Sequence, residues 1–365
     1  MKRRSFLKSA GAGLALAAPA VARAQLPELH WRLASSFPKS LDALYGAGAN
    51  FAQRIAQLTE GRFQIRVFAA GEIVPPLQVL DAVQSGTVEC GHTASYYYVG
   101  KHPAFAFDTT LPFGLNARQQ NAWMYEGGGI ELLRELFARY NCVQFPAGNT
   151  GAQMGGWFRK EVNSLQDLKG LKFRIAGIAG QVLAKLGVVP QQIAGSELYQ
   201  ALERGTIDAA EWVGPYDDAK LGFVKVAPYY YYPGFWEGSA QLSILVNAQK
   251  WAELPEPYKV AVELAAAETN VRMNAQYDVR NHDALRELVQ AGARLRAFPR
   301  PVMEAAYRAA FELYDGLAAA DPLFKKIYLS WRKYRDSSHL WFRVAEQTFD
   351  SFVYAEARKR VGGRG

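Results

Sequence analysis

Cysteine and histidine are scarce in this 365-residue chain, and their placement excludes several chemistries at once. The two cysteines are Cys90 and Cys142, and the five histidines are His30, His92, His102, His282 and His339. No two histidines stand three or four residues apart and no Cys/His cluster has zinc spacing, so a catalytic zinc centre is not expected. Each cysteine lies in an apolar, strand-like stretch (T-V-E-C-G and N-C-V-Q-F), the setting of a buried free thiol. A pair of cysteines outside the cytoplasm would nonetheless permit one disulfide. Also missing are a P-loop and a full dinucleotide glycine fingerprint. The G-x-x-G of Gly177 and Gly180 is a weak phosphate signal without them, and the G-G-G at 127–129 reads as a helix entry. No apolar run reaches the roughly 20 residues that a membrane helix needs.

What is present begins with an export signal. Residues 1–24 join a basic head to a short Ala/Leu/Gly run and end in the small residues Ala22 and Ala24. Arg3-Arg4 followed by S-F-L-K matches the twin-arginine signal, the alternative being an ordinary export signal with two chance arginines. The mature protein is therefore expected in the periplasm. Removing Lys2, Arg3, Arg4, Lys8 and Arg23 with the signal leaves 37 basic against 34 acidic side chains, a net charge of +3. That is no nucleic-acid footprint. The one dense basic run, Arg358-Lys359-Arg360, reads as a solvated tail. The remaining 341 residues suffice for two domains.

Periodicity predicts an α/β fold. A strand at Trp31–Ala34, a helix over Leu41–Leu58 and a strand over Phe63–Phe68 form a unit that implies a parallel sheet. D-A-V-Q-S-G-T-V-E at 81–89 is echoed by Q-A-L-E-R-G-T-I-D at 200–208. Each describes a helix closed by glycine (Gly86, Gly205), then Thr, a β-branched residue and an acid opening a strand. One repeat at domain scale suggests two similar α/β domains. Further on, Lys172–Ile175 reads as a strand and Gln181–Leu186 as a helix. Residues 256–291 read as one very long helix or two stacked ones, followed by a strand near 294–298. Helices are expected at Val302–Leu317, Phe324–Tyr334 and His339–Lys359. The last carries Trp341, Val344, Phe349 and Phe352 as an apolar stripe that needs a surface to cover it, in its own subunit or a partner.

Two acids stand out by context, Glu211 in D-A-A-E-W-V-G-P and Glu237 in F-W-E-G. Both precede a turn at a strand end, where parallel sheets bind ligands. Arg174 interrupts the apolar strand F-R-I-A, and Gln153 follows G-N-T-G-A at another strand end. Singly, each has an ordinary reading: an exposed strand arginine, a turn cap, or tyrosines that serve as sheet core. Together they suggest an arginine that grips a carboxylate with two parallel hydrogen bonds. Two glutamates in an aromatic pocket would repel that anion unless a hard cation such as Na⁺ or Ca²⁺ lay between. On this reading Arg174→Ala should abolish anion binding and leave the fold intact.

The stretch K-F-R-I-A-G-I-A-G-Q-V-L-A-K-L-G through E-L-Y-Q-A-L-E-R-G-T-I-D-A-A-E-W resembles the extracytoplasmic solute receptors of TRAP transporters. With W-R-L-A-S-S-F-P-K-S, S-Y-Y-Y-V-G, G-N-T-G-A-Q-M-G-G-W-F, E-W-V-G-P-Y-D-D and Y-Y-Y-Y-P-G-F-W-E-G, it is similar to the branch that binds 2-oxo acids or lactate with a metal. The resemblance spans nearly the whole mature chain. It implies two α/β domains joined by crossing strands, with a ligand cleft between them: residues 25–148 with 238–273, and 149–237 with 274–330. It implies Arg174 for the ligand carboxylate, and Gln153 for ligand and metal. It places Glu211, the Trp212 carbonyl and Glu237 on the metal. Asn149, and Tyr97 or Tyr98 among the tyrosines at 96–98, would line the ligand site, with Trp212 beside them. It further implies membrane subunits as partners, no catalysis, and a homodimer built through residues 331–365. The competing readings are an exported glycosidase-like hydrolase using Glu211 and Glu237 as an acid/base pair, and a receptor for a sugar alcohol or another organic acid.

Overall fold

The computed structural model describes residues 26–362, so the expected export signal lies outside the described residues. Eleven strands follow in chain order: β1 (Leu29–Ser35), β2 (Phe63–Phe68), β3 (Cys90–Thr93), β4 (Cys142–Asn149), β5 (Trp157–Phe158), β6 (Lys172–Arg174), β7 (Val189–Gln191), β8 (Ala209–Ala210), β9 (Tyr229–Tyr232), β10 (Gln241–Asn247) and β11 (Arg294–Ala297). They form two sheets. One has the order β2-β1-β3-β10-β4 and the other β11-β9-β5-β8-β6-β7. Helices cover the sheets, giving two α/β lobes.

The repeated nine-residue motif does the same work twice. Helices Val79–Gln84 and Leu198–Glu203 both end before a glycine at positive φ, +73° at Gly86 and +70° at Gly205, where a side chain would be strained. The acid that follows then caps a neighbouring parallel strand. Glu89 Oε2 accepts from the backbone N–H of Arg32 at 2.7 Å, and Asp208 Oδ2 from that of Lys172 at 3.0 Å. β3 lies parallel to β1 and β8 parallel to β6, so the two halves match in topology as well as in sequence.

Each lobe has its own core. Leu33, Phe51, Ile55, Phe63, Ile244 and Val262 are buried together in the first, and Phe158, Phe173, Leu183, Tyr231, Trp236 and Phe298 in the second. Burying a side chain of this size stabilises by about 1.5–3 kcal/mol. Three connections join the two sheets. The chain crosses at 150–156, returns at 233–240, and finally runs through the helix Glu256–Gln290. The two crossing segments are paired through their backbones, with Thr150 N to Ala240 O at 3.0 Å, Gln153 N to Glu237 O at 3.1 Å and Gly234 N to Gln153 O at 3.1 Å.

The structure decides several open expectations and corrects one, the helix break before His339. Residues 256–290 form one continuous helix rather than two stacked ones. The break expected between 334 and 339 is absent, because Pro322–Phe342 is a single helix, followed by a π-helical turn at Arg343–Gln347 and a last helix at Thr348–Gly362. Cys90 and Cys142 are buried free thiols. No helix among the described residues is long and apolar enough to cross a membrane.

Candidate functional site

The strand ends bring the expected residues together. Arg174 closes β6, Glu211 and Trp212 follow β8, and Gln153 and Glu237 sit on the two paired crossing segments. The backbone continues the link: Glu211 N donates to Arg174 O at 3.1 Å, and Met154 N to Val213 O at 3.1 Å. The first lobe contributes the short 3₁₀ turn Ser95–Tyr98. Between the lobes lies a small cavity. Phe37, Leu44 and Tyr97 line it from the first lobe, with Gln153, Trp212 and Val213 opposite.

Arg174 is fully enclosed and already engaged. Its Nη1 donates to Glu211 Oε1 at 2.5 Å and to the Glu211 carbonyl at 2.7 Å, while Nε donates to the Ile193 carbonyl at 3.1 Å. The indole of Trp212 stacks against it, with Cζ 4.9 Å from the ring centroid. Nη2 is the end of the fork left without a partner among the described residues. Glu211 Oε1 also accepts from Ala176 N at 3.0 Å.

What stays unmatched is oxygen. Glu211 Oε2, both carboxylate oxygens of Glu237 and Gln153 Oε1 are buried without a hydrogen-bond partner. Four such acceptors in one place would be costly unless something positive met them. Burial pushes the Glu237 carboxyl well above the usual carboxylate range, and the nearby Glu211 charge pushes it further. Tyr96 lies near enough to draw it partly down, but its hydroxyl stands outside hydrogen-bonding geometry to Glu237. Burial also raises Glu211, against the pull of Arg174. Two carboxylates and an amide form a hard-oxygen donor set that fits Ca²⁺ or Na⁺ and not a thiophilic metal. No group of three or more His, Cys, Asp or Glu side chains suited to a metal occurs among the described residues, so any cation here depends on amide and backbone oxygens as well.

The tyrosines divide. Tyr96 and Tyr97 face the cavity. Tyr98 turns away into the first lobe, where its hydroxyl accepts from Leu80 N at 3.1 Å and stands 2.9 Å from Thr93 Oγ1. Asn149 is fully buried at the end of β4; its Oδ1 accepts from Gly151 N at 2.8 Å, and its Nδ2 has no partner. Thr150, Val213, Phe37 and Leu44 line the cavity without having been singled out in the sequence. Phe37, Thr150 and Val213 stand just past strand ends and Leu44 in the first turn of the helix Asp42–Leu58, and nothing local in the sequence separates them from other core positions.

The model for bacterial extracellular solute-binding protein family 7 matches residues 34–321. The chain belongs to this family. It is 49% identical, over 97% of its length and 99% of the relative's, to a monocarboxylate 2-oxoacid-binding periplasmic protein of Nostoc sp.. A TRAP transporter solute-binding protein of Bordetella bronchiseptica RB50 is 53% identical with a TM-score of 0.90, covering 92% of this chain and 99% of that one. That crystal structure is a mixed-occupancy dimer, with calcium and picolinate in one active site and the other apo. A TRAP periplasmic solute-binding protein of Pseudoalteromonas atlantica T6c, with bound sodium and pyruvate, is 42% identical with a TM-score of 0.87, covering 89% of this chain and 99% of that one. Two mixed α/β lobes on crossing strands are the fold these receptors share.

Proposed function

We propose that this protein is the periplasmic receptor of a TRAP transporter and captures a short 2-oxo or 2-hydroxy monocarboxylate, pyruvate being the first candidate. The observation that carries this reading is the set of buried, unpartnered oxygens of Glu211, Glu237 and Gln153 beside the engaged guanidinium of Arg174. The ligands of the two similar crystal structures support it. Pyruvate and picolinate share a carboxylate next to a second donor atom, the pattern that closes a chelate ring on a hard cation. A resident Ca²⁺ or Na⁺ would supply the positive centre against which such a ligand docks.

The protein's own residues do the rest. Glu211, Glu237, Gln153 and the Trp212 carbonyl would hold the cation. The Nη2 end of Arg174 would take the ligand carboxylate, and Arg174 also offsets the Glu211 charge. Tyr96, Tyr97 and Trp212 exclude water, which strengthens each polar contact. Phe37, Leu44 and Val213 offer the ligand's tail an apolar wall without a second cationic partner, which disfavours dicarboxylates and sugar alcohols. Glu211, pinned by Arg174 and Ala176 N, is poorly suited to the acid/base exchange of a hydrolase, so binding without turnover is the reading we adopt. Export through a twin-arginine signal, delivery to membrane subunits and the division at residues 148/149 and 237/238 belong to the same proposal.

So does a homodimer. Trp341, Val344, Phe349, Phe352 and Tyr354 are each more than 60% exposed on the C-terminal helices, an apolar set that this chain leaves uncovered.

A thermal-shift screen of residues 25–365 tests the reading. Pyruvate, 2-oxobutyrate, lactate, mannitol and a dicarboxylate are compared with and without chelator. A ligand that binds only the folded state raises the melting temperature. A chelator-sensitive shift with a monocarboxylate is expected. A shift with mannitol alone, or one with pyruvate that chelator leaves unchanged, would overturn it.

A further inference from the structure

Outside the cavity, a second set of contacts ties the lobes together. Asp42 opens the helix Asp42–Leu58 of the first lobe, where the positive end of the helix dipole favours its charge. Its carboxylate meets three donors. The Tyr216 hydroxyl stands 3.1 Å from both Oδ1 and Oδ2, and Arg280 Nη1 donates to Oδ2 at 3.0 Å. Lys220 Nζ donates to Oδ1. Tyr216 and Lys220 belong to the second lobe, on the helix Pro215–Leu221, and Arg280 to the long connecting helix. Tyr216 organises the cluster: its ring lies 3.8 Å from Lys220 Nζ and 4.9 Å from Arg280 Cζ, and its own N–H donates to Asn281 Oδ1 at 3.0 Å.

The lobes are closed on one another around this point. Gln192 Nε2 of the second lobe donates to the Tyr97 carbonyl of the first at 2.9 Å. Tyr96 packs so tightly on Gly177 that a Cβ there would come within 2.7 Å of the ring. These contacts lie over the cavity, whereas the Asp42 cluster involves no residue that would touch ligand or cation.

We infer that Asp42, Tyr216, Lys220 and Arg280 form a latch that holds the cleft shut after capture, so that Asp42 is a positioning residue for retention and not for recognition. Three donors from two other elements converge on one carboxylate of the first lobe, and separating the lobes breaks Asp42 from Tyr216 and Lys220 together. A contact made only in the closed form acts on the dissociation rate and leaves the encounter rate nearly unchanged. Asp42 is half exposed, so the expected effect is modest, roughly three- to tenfold, as for a solvent-accessible charge network.

This inference rests on the receptor reading for its kinetic test, and a ligand-free arm keeps the two separable. Stopped-flow dissociation of pyruvate in the presence of calcium is measured for the full mature protein and for Asp42→Asn, Lys220→Met and the double variant. The latch predicts dissociation faster by roughly three- to tenfold in each single variant. It predicts association changed by less than about twofold and an unaltered ligand rank order. The double variant should be no faster than the faster single one, since both open the same contact. Unchanged dissociation in both single variants, with pyruvate bound by the wild type, overturns the latch. If the wild type does not bind pyruvate with calcium, the receptor reading fails on its own. The latch is then judged by the distance between spin labels on Gln64→Cys and Glu203→Cys, one exposed site per lobe. A shift to longer distances on adding Asp42→Asn supports it, and an identical distribution overturns it.

Discussion

Arg174 and Glu211 form a fully buried ion pair, Nη1 to Oε1 at 2.5 Å, with side-chain exposures of 1% and 0%. The pair changes what removing the arginine should do. Breaking a buried pair by deleting one partner leaves the other charge uncompensated, at a cost of about 3–5 kcal/mol. Arg174→Ala is therefore expected to lose both pyruvate binding and stability, in contrast to the intact fold expected from sequence. Urea unfolding at pH 7.5 checks this. A midpoint equal to the wild type would show that Glu211 finds another partner or a proton without loss.

Glu237 separates binding from stability in the opposite sense. Its two oxygens lack partners, so Glu237→Gln removes an unpaired buried carboxyl and keeps the shape. Calcium-dependent pyruvate affinity should fall by about 100-fold, the scale of removing one member of a buried charged set. The melting temperature in chelator should hold or rise. Calorimetric titration beside thermal melts reads both. Affinity within threefold of the wild type would take Glu237 out of the proposed cation site.

Asp218 gives a pH signature. Its Oδ2 accepts from Trp157 Nε1 at 2.9 Å and from the Tyr230 hydroxyl at 2.7 Å, while Oδ1 has no partner. Burial pushes its carboxyl up to about 7, above the unfolded value near 4. A carboxyl raised in the folded state stabilises fully below the unfolded value, and that contribution is lost as pH rises through about 7. Asp218→Asn keeps one accepting oxygen for both donors and cannot ionise. Its stability relative to the wild type should grow by about 1–3 kcal/mol between pH 5 and pH 8. Equal differences at the two pH values would mean that Asp218 does not titrate in this window.

The exposed C-terminal stripe predicts an association state. Phe349 and Phe352 are 66% and 68% exposed. The variant carrying Phe349→Glu and Phe352→Glu should shift light-scattering mass from dimer to monomer at micromolar concentration while leaving pyruvate affinity within about threefold, because neither residue lines the cavity. A dimer of unchanged stability would assign the interface to another surface.

Much of the fold was readable because its signals are local. The glycine, threonine, β-branched residue and acid of each echoed motif close a helix and cap a strand within nine residues. Arg174, Glu211 and Glu237 stood out because a charge within an apolar strand or an aromatic run is costly and invites a reason. The orientation of the tyrosines was not readable. Successive side chains of a 3₁₀ turn point about 120° apart, so three tyrosines in a row cannot all face one cavity. Only the docked first lobe decides that Tyr96 and Tyr97 face inward and Tyr98 does not. The helix break expected before His339 failed for a different reason. Ser337 looks like a punctuating residue, but its hydroxyl donates to the Lys333 and Tyr334 carbonyls at 3.0 Å, which satisfies it within a continuous helix. The pairing of Arg174 with Glu211 and the gathering at Asp42 are long-range and have no sequence period at all.

Apart from the contact of Arg280 with Asp42, the long helix Glu256–Gln290 is held at different places by different lobes. Thr269 Oγ1 accepts from Asn50 Nδ2 at 2.9 Å and Asn270 Oδ1 from Gly148 N at 3.3 Å, both in the first lobe. Tyr277 donates to Asp217 Oδ2 at 2.7 Å in the second. Only about two turns separate Asn270 from Tyr277, roughly 10 Å of helix. Any swing of one lobe against the other has to be absorbed in that short span or by releasing one of its anchorages. The segment thus works as a torsion bar. Its stiffness, set by side chains that never meet a ligand, helps fix how far the molecule yields and how readily it springs back.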